Sequence, residues 1–266
     1  MDFFQIIILA LIQGVTEFLP VSSSAHLILP SQLLGWDDQG LAFDVAVHVG
    51  TLAAVVFYFR QSLFKLTQGW LTTGLTRTPN EDARLAWYIV IATIPAGLAG
   101  LLFGDWIEEY ARSITLIACT TIVFGILLGF ADKRHGTISM AKMTLAMALI
   151  IGLVQMLALI PGTSRSGVTL TAALFLGMQR ADGARFSFLL SIPLILAAGG
   201  LHAIKLMQST VEVAWGDLIL GIVVSAISAL LCIHYFLAFI NRIGMMPFVI
   251  YRLLLGGFLL AFVWLA

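Results

Sequence analysis

Polar residues interrupt this chain only at widely spaced points. Between them lie six apolar runs, roughly 41–59, 85–103, 114–131, 186–206, 218–240 and 248–266, each long enough for a helix to cross a bilayer. Two further apolar regions are broken. Region 3–35 is interrupted by "QGVTEFLPVSSSAH" at 13–26, and region 143–179 by "PGTSRSG" at 161–167. The first arm of region 3–35 offers about ten clean apolar residues, or about 15 Å of helix, against a hydrocarbon core of about 30 Å. The corresponding arm at 143–160 comes close to a full span. The pattern predicts an all-α polytopic membrane protein: six transmembrane helices plus two re-entrant helical hairpins. Stretch 61–75, "QSLFKLTQGWLTTGL", reads as an amphipathic segment at the membrane surface.

Composition agrees. The 266 residues are 60% hydrophobic and 11% charged, where a soluble domain carries about 25% charge. The mean hydropathy is +1.02. A net charge of zero gives no reason to expect a nucleic-acid partner. Cys119 and Cys232 lie mid-run and read as small buried hydrophobes. No Lys or Arg precedes Arg60, so the basic start of a signal peptide is missing.

Charge also orients the runs. If each broken region returns to the face it entered, eleven basic residues, including Arg252 at a membrane edge, share one face. The opposite face holds only Arg112 and Lys205, with acidic residues that include Glu108 and Glu212. The positive-inside rule makes the basic face cytoplasmic and puts both termini outside. The one basic residue left over is Arg165. This layout reads hairpin, span, span, span, twice, from opposite faces. It is an inverted-topology repeat, with halves 1–136 and 137–266. "ALIQGVTEFLPVSSSAHLI" and "GLVQMLALIPGTSRSGVTL" share a matching order of apolar residues, Gln, Pro and a Ser-rich turn.

Irregular backbone at membrane depth survives only inside protein or against water. The two breaks are therefore expected to meet, bringing Glu17, Ser22, Ser23, Ser24 and His26 to Thr163, Ser164, Arg165 and Ser166. At the second break, Pro161 stops a helix and Gly162 permits a tight turn. The next helix starts within 163–166, and its free N–H groups favour an anion. Hydroxyls add donors, and Arg165 offers a guanidinium that fits phosphate. An embedded arginine is expensive, which points to function. Thr169 lies a turn further on. At the first break, Gln13 and Glu17 share a helix face. Glu17 is suited to hold a divalent cation, to act as a base, or to neutralise Arg165. His26 reads as nucleophile, general acid or structural histidine. Asp44 and His48, also four apart, read as supporting residues. An anion cradle facing a carboxylate, open to lipid, suits a phosphorylated lipid and metal-assisted phosphoryl transfer.

"QGVTEFLPVSSSAH" and "PGTSRSGVT" resemble the two signature motifs of the undecaprenyl-pyrophosphate phosphatase family, the BacA or UppP bacitracin-resistance proteins. "FDVAVHVGTLAAV" and "PFVIYRLLLGG" also look like that family, so the resemblance spans essentially the whole chain. It implies hydrolysis of undecaprenyl pyrophosphate, recycling of the lipid carrier for cell-wall synthesis, and a Mg or Ca requirement. It further implies inner-membrane residence and a site reached from the periplasm. By position, it carries roles onto Glu17, Ser23 and His26, and onto Ser164, Arg165 and Thr169. Gln13 departs from the pattern, since many members have Glu there. That casts doubt on any mechanism needing carboxylates at both 13 and 17. Ser23, Ser164, His26 or a water remain alternative nucleophiles. An alternative of another class is a transporter or flippase of undecaprenyl phosphate, because inverted repeats with broken helices also build transporters. The oligomeric state stays open, a homodimer included.

Overall fold

The computed structural model describes residues 2–208 and 214–265; Glu212 of the charge count lies outside the described residues. Eleven α-helices make up the described chain. They are α1 Phe3–Thr16, α2 Ser23–Leu34, α3 Gly40–Tyr58, α4 Arg60–Thr73, α5 Glu81–Tyr110 and α6 Ile114–Asp132. The second half holds α7 Leu145–Gln155, α8 Arg165–Phe175, α9 Arg180–Gln208, α10 Trp215–Ile243 and α11 Met246–Leu265. Among the described residues there is no strand, only an isolated bridge between Ile138 and Met178.

Six helices are long and apolar enough to cross a membrane: α3, α5, α6, α9, α10 and α11. Several exceed their apolar runs. α5 begins at Glu81 because Asn80 caps it, accepting from the Ala83 amide at 2.8 Å. Glu81 and Asp82 in its first turn then favour the helix N-terminus. The surface segment forms α4, which buries only Leu66 and Gly69.

The two broken regions are helix–turn–helix units. α1 has 14 residues, about 21 Å, and α7 has 11, about 17 Å, both short of a bilayer core. The arm anticipated at 143–160 is helical over Leu145–Leu159, short of a full span. α7 stops at Gln155, and a 3-10 turn, Met156–Leu159, carries the chain to Pro161. Packing is crosswise: α1 lies on α10 of the second half, and α7 lies on α5 of the first.

Close approach at α10 requires glycine. A Cβ at Gly14 of α1 or at Gly50 of α3 would fall on the hydroxyls of Ser228 and Ser225, respectively. Small residues facing one another let helix backbones approach where lipid supplies no hydrophobic drive. We expect Gly50→Leu to destabilise the protein by at least about 1–3 kcal/mol, as overpacking does. Thermal unfolding in detergent checks this; an unchanged midpoint contradicts it.

Candidate active site

Each hairpin tip starts its second helix from a serine in a left-handed conformation. Ser22 precedes α2 with φ 78°, and Ser164 precedes α8 with φ 72°. They are the only described non-glycine residues with positive φ. Such strain persists only where the surroundings impose it, and it concentrates at functional sites.

The second tip is closed by its own hydroxyls. Ser164 Oγ accepts from the Gly167 amide at 3.1 Å, capping α8. Ser166 donates to the Leu19 carbonyl of the first tip at 2.7 Å. Thr169 donates to the Arg165 carbonyl at 2.8 Å and lies 2.7 Å from Ser187 Oγ. Thr120 of α6 donates to the Pro161 carbonyl at 2.7 Å.

Arg165 reaches across to the first tip. One guanidinium nitrogen donates to Glu17 Oε1 at 3.1 Å and the other to the Ser187 carbonyl at 3.0 Å. Its Nε is buried without a partner. Glu17 is itself 7% exposed. Its Oε2 accepts from Gln13 Nε2 at 3.0 Å and from the Ser23 hydroxyl at 2.7 Å. His48 Nε2 stands 3.9 Å from the same oxygen. His48 Nδ1 contacts the Asp44 carbonyl at 2.7 Å; since a carbonyl only accepts, that nitrogen carries the proton.

Arg252 corrects the sequence reading. It is not at a membrane edge but fully buried, with 0% exposure. Its guanidinium donates to the carbonyls of Pro20 at 3.0 Å, Thr121 at 3.1 Å, Gly162 at 2.8 Å and Thr163 at 3.0 Å. Helix ends broken inside an apolar bundle leave carbonyls that must find donors, and one side chain supplies both tips. Without Arg252 the charge bias is ten against two. The signal in the sequence was slight: a lone Arg one turn inside the last apolar run.

A cavity of about 500 Å³ opens beside the joined tips. Glu17, Ser22, Ser23, Ser24, Ser164 and Arg165 line it, and so do Asp44, His48 and Gln155, which sequence reasoning left in supporting roles or missed. Apolar side chains of α3, α5 and α9, among them Leu41, Ala96 and Leu194, form the rest of its wall. Gln13, Thr163, Ser166 and Thr169 are buried and do not line it. His26 is also not in the lining. Its Nδ1 contacts the Ser22 carbonyl at 2.7 Å, its Nε2 lies 2.5 Å from the Tyr251 hydroxyl, and its ring stacks on Tyr251. Tyr251 and Arg252 thus make α11 a strut under both hairpins.

The arrangement defines a polytopic membrane protein with a cavity at whose end the two hairpin tips bring together Glu17, Ser23, Ser164 and Arg165. Comparison with known proteins is specific. The chain belongs to the bacitracin resistance protein BacA family, which it matches over residues 6–258. A curated relative from Saccharophagus degradans, named undecaprenyl-diphosphatase, is 61% identical over 100% of both chains. One of the same name from Teredinibacter turnerae is 60% identical over 96% of this chain and 97% of its own. Another, from Hahella chejuensis, is 56% identical over the full length of both.

We expect Arg252→Met to destabilise the protein by at least about 3 kcal/mol, because four buried carbonyls lose their donor and each unsatisfied group costs about 1–3 kcal/mol. Thermal unfolding in detergent is the check. A variant that melts with the wild type contradicts the clamp.

Proposed function

We propose that this chain is an integral-membrane phosphatase. It hydrolyses undecaprenyl diphosphate to undecaprenyl phosphate and inorganic phosphate, the activity its relatives' names describe. The observation that carries the reading is the cavity in which Arg165 and the start of α8 face Glu17 and Ser23. The product is the lipid carrier for cell-wall synthesis, and its recycling gives bacitracin resistance. The charge bias supports a bacterial inner-membrane location, with both termini and the cavity mouth on the periplasmic side. The alternation of two short and three long helices supports an inverted repeat of 1–136 and 137–266, with α4 added to the first half.

The chemistry follows from the side chains. Arg165 binds the terminal phosphate, and the amides at the start of α8 receive its charge. Among the candidate nucleophiles, Ser23 is the cavity hydroxyl already donating to a carboxylate, Glu17, at 2.7 Å. A nucleophile held against its base is the arrangement such catalysis needs. Ser23 Oγ forms the bond to the terminal phosphorus as its proton passes to Glu17. The bond to the bridging oxygen breaks, and undecaprenyl phosphate leaves. Glu17 passes that proton to the departing phosphate oxygen; ionised again, it takes a proton from water, whose oxygen bonds to phosphorus as the bond to Ser23 Oγ breaks, and the proton returns to Ser23 as phosphate leaves. Ser164 Oγ is occupied as a cap, and His26 engages both ring nitrogens away from the cavity.

A divalent cation, magnesium or calcium, fits this donor set. Among the described residues no group of three or more His, Cys, Asp and Glu converges. A hard cation at a phosphate needs only one or two carboxylates besides phosphate oxygens and water, and Glu17 supplies one. The cation would neutralise phosphate charge.

The test is phosphate release from undecaprenyl diphosphate by purified protein with magnesium or calcium, and with chelator. We expect cation-dependent release that falls by at least about 10²-fold in Arg165→Ala and in Glu17→Gln, in line with loss of a principal charge-stabilising group. No release by folded wild-type protein overturns the reading and leaves lipid transport to be measured in liposomes.

A further inference from the structure

Gln155 has no role in the chemistry above, yet it occupies the cavity wall under unusual conditions. It ends α7 at the second hairpin, is 0% exposed, and lines the cavity. Its Nε2 faces the Ala92 carbonyl at 3.5 Å, while its Oε1 is buried with no partner. Turning the amide over would set oxygen against the Ala92 carbonyl, so the orphaned atom is the oxygen. The backbone is pinned as well. Neighbouring Gly152 lies so close to Ala92 that a Cβ there would stand 2.5 Å from the Ala92 carbonyl oxygen. α7 therefore has no room to shift and rescue the amide.

Gln13 repeats the arrangement in the first hairpin. It too is 0% exposed, gives its Nε2 to an acceptor, Glu17, and leaves Oε1 unpaired. Gln13 precedes Ser22 by nine residues, as Gln155 precedes Ser164. The two glutamines thus hold matching positions relative to the two strained serines.

A buried acceptor left unpaired costs about 1–3 kcal/mol, so the free protein is less stable for keeping Gln155 than for a leucine of similar size. A fully ionised diphosphate presents only acceptor oxygens and cannot satisfy Oε1 directly. What satisfies it must be electropositive. We propose that Gln155 Oε1 is the acceptor wall of the loaded site, receiving either a proton of a water beneath the phosphate or a divalent cation bound with it. This rests on the phosphatase reading and adds to it a residue that positions the electropositive partner.

The experiment compares Gln155→Leu, Gln155→Glu and wild type in detergent. It reads kcat and KM for undecaprenyl diphosphate, the melting temperature, and Mn²⁺ binding by electron paramagnetic resonance. Gln155→Leu is expected to lower kcat at least about tenfold with little change in KM, while melting at or above the wild-type temperature. A merely structural residue would lose stability together with activity. Gln155→Glu keeps an acceptor and is expected to retain more activity than Gln155→Leu. If it also tightens Mn²⁺ binding, the partner is the cation; if Mn²⁺ binding is unchanged, the partner is water. Wild-type kcat in Gln155→Leu, or a loss that tracks a lowered melting temperature, overturns the inference. Failure of the wild type to release phosphate sinks the phosphatase reading separately, and a lowered melting temperature in Gln155→Leu would still refute the account of Gln155.

Discussion

Broken helices inside an apolar bundle expose backbone groups that lipid cannot satisfy. Everything distinctive here depends on how that demand is met. Arg252 gives its N–H groups to carbonyls of both tips and of α6, and Thr120 and Thr121 add donors to the second tip. The arginine is in turn tolerable only because those carbonyls surround it. Gly125 and Gly167 make the room, since a Cβ on either would lie 3.0–3.1 Å from its side chain. Clamp and break are thus interdependent, and the positions of Glu17 and Arg165 follow from both.

Arg252 and Arg165 illustrate two uses of a buried guanidinium. Arg252 is fully buried and donates from every guanidinium nitrogen to backbone carbonyls, whereas Arg165 lines the cavity, pairs with Glu17 and keeps Nε unpaired. Among the described residues, the buried side-chain atoms without a partner all belong to the two hairpins: Thr163 Oγ1, the two glutamine oxygens and Arg165 Nε. A protein selected for stability alone would replace such groups. Their concentration at the hairpin tips, together with the strained Ser22 and Ser164, coincides with the proposed site.

Much of this was legible in the sequence because it followed from length and charge. The six long helices, the short first arm of region 3–35 and the isolation of Arg165 needed only run lengths and a count of Lys and Arg. Helix ends were less legible, because caps such as Asn80 extend helices beyond their apolar stretch. The direction of a side chain was least legible. His26 sits among the serines of the motif, yet its ring goes to Tyr251, while His48, distant in sequence, comes within reach of Glu17. Arg252 was misplaced for the same reason. Depth along a helix was readable, but the carbonyls awaiting it on two other elements were not.

The central claim is that residues 148 positions apart, Glu17 and Arg165, act as one site. A double-mutant cycle on kcat/KM for phosphate release tests it most directly, with Glu17→Gln, Arg165→Ala and the combination. Groups that act as a unit are strongly non-additive, so the double variant is expected to be little worse than the poorer single variant. Two large losses that simply multiply would contradict a joint site and mean that the tips touch without sharing the chemistry.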